Sequence, residues 1–78
     1  MPTTQTTLDQ LKPGDQAKVV RLQGEPETVE RLMEMGLIAG TPIKVLKFAP
    51  LGDPIEIVMR GYHLTLRRAE AAGIFVEI

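Results

Sequence analysis

The apolar positions change their period along the chain, and each change marks an element. From Gln16 to Gln23, Ala17 and Val19 alternate with Lys18 at the two-residue period of a half-buried strand. Val20 and Leu22 then take the opposite parity, a one-residue phase shift that predicts a bulge or a strong bend. After Gly24 the period lengthens. Val29, Leu32, Met33 and Gly36 follow the i, i+3, i+4, i+7 spacing of one helical face, so a helix is expected over Pro26–Met35. Pro26 suits the first helical position, and Glu25 and Glu27 place negative charge at the positive end of the helix dipole. Gly36 is the expected residue just past its C-terminus. Period two returns from Ile43 to Phe48, with Ile43 and Val45 inward and a second phase shift at Leu46 and Phe48. A loop dense in turn formers, Pro50-Leu51-Gly52-Asp53-Pro54, joins this segment to Ile55–Arg60 as a hairpin, with Ile55, Ile57 and Met59 on one face. His63–Arg67 alternates with Leu64 and Leu66 inward. Arg68–Gly73 is a single turn, and Ile74–Ile78 closes the chain with Ile74, Val76 and Ile78 on one face.

Five short strands with one α-helix inserted after the first define an all-β class. Bulged strands in so short a chain favour a small, partly open SH3-like β-barrel. An OB-fold also has five strands and a helix, but its helix falls between the third and fourth strands. Residues 1–7, rich in Thr and without periodicity, are expected to be a flexible N-terminal arm, and 8–78 a single domain opened by a short turn that puts Leu8 and Leu11 on one side.

Composition narrows the function. The chain has 78 residues, 9 Lys plus Arg against 10 Asp plus Glu, a formal net charge of -1, and 44% hydrophobic residues. These values belong to one small globular domain and argue against a nucleic-acid binder, which needs an excess of positive charge. Cysteine and serine are absent and His63 is the one histidine, so Ser–His and Cys–His catalysis have no material. No glycine-rich phosphate loop occurs. No apolar run approaches the roughly 20 residues of a membrane-spanning helix, and residues 1–7 lack the features of a signal peptide, so a cytoplasmic protein is expected. No catalytic residue, cofactor site or metal site is assigned. Asp53, Glu56 and His63 are the only side chains near the hairpin that a metal-sensing reading could use. Lys44, Lys47, Arg67 and Arg68 are the charges that a nucleic-acid-binding reading could use, although few aromatics stand between them.

A stronger indication comes from the run Arg31-Leu32-Met33-Glu34-Met35-Gly36-Leu37-Ile38-Ala39-Gly40-Thr41-Pro42-Ile43-Lys44-Val45. It resembles the R-L-x-x-[LM]-G-[LIM]-x-x-G-x-x-[IV]-x-V signature of the FeoA family, small cytoplasmic components of bacterial ferrous iron transport. Leu8-x-x-Leu11-x-x-Gly14 looks like the family's opening, Ala49–Ile55 like its hairpin loop, and Arg60-Gly61-Tyr62-x-Leu64-x-Leu66-Arg67-x-x-Glu70-Ala71 like its closing motif. The resemblance runs from Leu8 to Val76. It implies an SH3-like barrel, as in the C-terminal domain of iron-dependent repressors, and a non-catalytic accessory role beside FeoB, the large permease with a cytoplasmic GTP-binding domain. It brings no catalytic residues.

An accessory role calls for a docking surface. Apolar residues that depart from the inward alternation are Met35, Leu46, Val58, Phe75 and, at the hairpin tip, Leu51. Met35, Leu37 and Leu51 are the expected partner-binding residues. Arg31, Arg60, Arg67 and Arg68 are candidates for an arginine supplied to a partner's GTP site. Free strand edges of an open barrel offer a route to homo-oligomers.

Overall fold

The computed structural model describes residues 4–78. Six strands form one antiparallel sheet: β1 (Gln5–Thr7), β2 (Gln16–Leu22), β3 (Pro42–Phe48), β4 (Ile55–Met59), β5 (Tyr62–Leu66) and β6 (Ile74–Glu77), in the order β1-β6-β2-β3-β4-β5. Helix α1 (Pro26–Glu34) joins β2 to β3, and the single turn α2 (Arg68–Ala71) joins β5 to β6.

The sheet curls because two of its strands are bulged where the apolar parity shifts. In β2, Val19 faces Val76 and Arg21 faces Phe75, leaving Val20 as the extra residue. In β3, Val45 faces Ile57 and Lys47 faces Glu56, leaving Leu46 extra. A bulge increases local twist and bend, and two near the middle of a small sheet bring its faces toward closure. The enclosed side chains are the inward sets read from the sequence, among them Val19, Val45, Ile55, Ile57, Met59, Leu66, Ile74 and Val76. Leu8 opens a 3₁₀ turn, Leu8–Gln10, Leu11 follows it, and both leucines are buried.

Four expectations change. The strands number six, not five, because Gln5–Thr7 pairs with β6 in register (Gln5↔Glu77, Thr6↔Val76, Thr7↔Phe75). Residues 5–7 are therefore not part of a loose arm, and residues 1–3 of that arm lie outside the described residues. Polar β-branched residues suit an edge strand whose partner supplies the apolar contacts, so no period-two signal was needed. Ile78, expected inward, is 64% exposed, since it lies beyond the last ladder pair. The face assigned to α1 is too wide. Leu32 is buried, Val29 is half-buried and Met33 is exposed, so Leu32 is the one fully buried side chain of the helix. The fourth change concerns Leu37.

Helix α1 ends in a Schellman motif. Met35 is the C-cap, Gly36 takes φ 104°, the Gly36 N–H donates to Met33 O at 3.0 Å and the Leu37 N–H to Leu32 O at 3.1 Å. In this motif the residue after the glycine folds back onto the helix's last turn. Leu37 does so and is fully buried beside Leu32 in the core. It packs in the core, so its side chain is out of solvent in this fold. The following loop is fastened to β2: the Gly40 N–H donates to Val19 O at 2.7 Å and the Val19 N–H to Thr41 O at 2.9 Å. Thr41 is buried with its hydroxyl satisfied by Gly36 O at 3.1 Å.

Candidate functional site

Two surface features stand out, one on the hairpin and one along α1. The hairpin loop between β3 and β4 is held from outside. Asp53 Oδ1 accepts the Arg68 N–H at 3.1 Å, and the Arg68 guanidinium lies 3.4 Å from Gly52 O and 5.8 Å from the Phe48 ring centroid. Within the loop, the Ala49 N–H donates to Pro54 O and the Gly52 N–H to Ala49 O, at 3.0 and 2.7 Å. At the tip of this fastened loop Leu51 is 95% exposed. The Leu51 side chain therefore stands in solvent on a loop whose backbone is held in place.

Helix α1 lies on the barrel with a groove on either side. Toward β2 the groove is mostly apolar, about 270 Å³, and is lined by Val20, Leu22, Val29, Met33, Leu37, Ile38 and Ala39 together with Arg21. Its rim carries Met33 at 49% and Ile38 at 44% exposure. Sequence reasoning missed this groove, because helical spacing placed Val29 and Met33 in the core. The usable signal was that Val20 and Leu22 had already been moved to the outer parity by the bulge, next to where the helix had to pack. Toward β5 and α2 the second groove is polar, about 520 Å³, and includes Arg31, Met35, Thr65, Arg67 and Glu70. Met35, one of the expected partner-binding residues, is half-buried and packed against the core on that side.

Several of the charged residues are engaged within the fold. Arg31 pairs with Glu70, whose other oxygen accepts the Arg67 N–H at 3.0 Å. Lys47 lies 3.8 Å from Glu56, and His63, on the edge strand, lies 3.6 Å from the same carboxylate. The structure thus brings Glu56 and His63 together but commits Asp53 to the Arg68 N–H. Among the described residues no group of three or more His, Asp or Glu side chains is placed to hold a metal ion. Two of the three aromatic rings carry arginines of the same chain: Arg21 sits 4.1 Å over Phe75, and Arg68 is near Phe48. Tyr62 Oη donates to Met35 O at the end of α1. Arg60 occupies the two-residue turn between β4 and β5 at φ 48°. No helix among the described residues is long and apolar enough to cross a membrane.

Bulged strands in a single curled sheet, with a helix after the second strand, define a small SH3-like domain. The zinc-complexed FeoA of Stenotrophomonas maltophilia, described as a procaryotic SH3 domain protein, superposes at a TM-score of 0.81 with 25% identity, covering 91% of this chain and 88% of its own. The FeoA domain model matches residues 6–78, and the chain belongs to the FeoA family. The FeoA protein from Chlorobium tepidum is 52% identical with a TM-score of 0.89, covering 94% of this chain and 70% of that one. A protein of Porphyromonas gingivalis in which Fe(2+) transport protein A is fused to the Fe(2+) transporter FeoB is 42% identical over 71 residues. The match takes 91% of this chain and spans 8% of that relative's length.

Proposed function

We propose that this chain is a non-catalytic accessory protein of bacterial ferrous iron uptake, acting by contact with an FeoB-type GTP-binding permease on its cytoplasmic side. One observation carries the reading: in the Porphyromonas gingivalis relative, the region that matches this chain belongs to the same polypeptide as FeoB. Covalent fusion supplies a high effective concentration of one module at the other. A separate chain has to reach the same proximity with a docking surface of its own. Leu51 and the α1–β2 groove are the surfaces available for that contact, and burying Leu51 fully would contribute about 1.5–3 kcal/mol. The nucleic-acid-binding and metal-sensing alternatives have no comparable support, given a formal net charge of -1 and the engagement of Asp53 by Arg68.

The test is a pull-down from detergent-solubilised membranes of the source cells, with this chain as bait, with and without a GTP analogue. Recovery of an FeoB-type permease is the expected result, and its absence in both nucleotide states overturns the reading. Leu51→Asp is expected to weaken that recovery strongly while changing folding stability by no more than about 0.5 kcal/mol, because the side chain packs on nothing. A matching fall in Tm would show that Leu51 is structural.

A further inference from the structure

Three methionines fall among the described residues, and each meets a different environment. Met59 lies in β4, 2% exposed, within the core. Met35 is half-buried, packs against the core and lines the polar groove beside α1. Met33 is 49% exposed and lines the α1–β2 groove. The helix sets this difference. Successive residues turn by about 100°, so Met33 stands one step round from buried Leu32, on the same stripe as Val29, while Met35 points to the opposite flank.

Apolar groups dominate the groove that Met33 lines. Val20, the extra residue of the β2 bulge, and Leu22 supply its β2 side, and Ile38 and Ala39 come from the loop after α1. Arg21 is the one charged side chain in the lining, and its guanidinium sits 4.1 Å from the Phe75 ring centroid. A thioether at this rim is an apolar group that water and small solutes reach. Its sulfur is also the most easily oxidised atom of the lining.

We propose that Met33 is a peroxide-reactive site, and that its oxidation to the sulfoxide turns the rim of the α1–β2 groove from apolar to polar. The oxidant is a hydroperoxide, hydrogen peroxide in the simplest case. The sulfur lone pair attacks one peroxide oxygen, an S–O bond forms and the O–O bond breaks. The proton on the attacked oxygen passes to the departing hydroxide, which leaves as water. Sulfur is oxidised by two electrons and the peroxide is reduced by two. In the free chain the new oxygen faces water, so the fold keeps its stability. Under an apolar partner the same oxygen would be a buried acceptor without a donor, which opposes docking. The switch belongs to the groove and holds for whichever apolar partner covers it.

The test exposes the full folded chain to millimolar hydrogen peroxide and follows each methionine by tryptic peptide mapping. Met33 and Met35 share a peptide and are told apart by fragmentation. Met33 is expected to oxidise about tenfold faster than Met59 and about threefold faster than Met35. The form oxidised at Met33 should elute earlier from a hydrophobic-interaction column, with Tm unchanged to within about 2 °C. Methionine sulfoxide reductase should restore the original elution. Met33→Leu, treated with peroxide in the same way, should keep its late elution. Met1 lies outside the described residues, so the forms compared share its oxidation state. Oxidation of Met35 or Met59 as fast as Met33 overturns the proposal. So does unchanged elution of the Met33 sulfoxide, or an elution shift that persists in Met33→Leu. Because these measurements read the groove alone, their failure leaves the accessory role standing, and a failed pull-down leaves the Met33 chemistry standing.

Discussion

Gly73→Ala is expected to cost about 3 kcal/mol and to lower Tm by roughly 10–25 °C. The reason is distance. A Cβ built on Gly73 would lie 2.1 Å from Gln23 O and 3.2 Å from its carbonyl carbon, both backbone atoms. Nothing there can rotate away, so the end of β2 and the start of β6 must separate by roughly an ångström. That separation opposes the Gln23 N–H to Gly73 O bond, 2.7 Å long, which continues the ladder past Leu22↔Ile74. It also unloads Ala71 and Ile74, both fully buried. For a domain of this length, total stability is about 4–12 kcal/mol, so the loss is a large share of the whole. Gly40→Ala is the control. Gly40 has φ 91° with nothing within 4 Å of a built Cβ, so alanine there meets backbone strain but no collision. Thermal unfolding of both variants checks the claim. Equal losses would mean that close approach at Gly73 is not what matters.

Much of this fold is legible in the sequence because its local signals agree with its global needs. The parity shifts at Val20 and Leu46 are the bulges that curl the sheet, and the FeoA-like run from Arg31 to Val45 covers the Schellman turn and the entry into β3. What stayed hidden depends on tertiary partners. Gln5–Thr7 is a strand because β6 lies beside it, not because of its own pattern. Gly73 reads as a turn terminator, while its function is to let Gln23 approach. Of the expected partner-binding residues, Leu51 stands exposed because a Pro- and Gly-dense loop tip has no core to reach, and Leu37 does not, since the chain reverses just before it. The two grooves beside α1 follow from how narrowly Leu32 seats the helix, which no helical period can reveal.

Gly36→Val is expected to cost about 2–4 kcal/mol, and here conformation and contact act together. At φ 104° a β-branched side chain is strained whatever space surrounds it. The added Cβ would also lie 3.1 Å from Tyr62 Oη and 3.3 Å from Met59 Cε, so it presses on the hydroxyl that caps α1 through Met35 O. The Schellman bonds of Gly36 and Leu37 close over this one residue, so losing its conformation also loosens Leu37 from the core. Two further variants separate the contributions. Gly36→Asn, which tolerates positive φ better, should recover part of the loss, and Tyr62→Phe alone should cost only about 0.5–1.5 kcal/mol, the worth of one hydrogen bond. If Gly36→Val costs no more than Tyr62→Phe, then the helix end does not need its left-handed residue. Leu37 would in that case be held by the barrel alone, and the seating of α1, with both grooves beside it, would not depend on the turn that ends the helix.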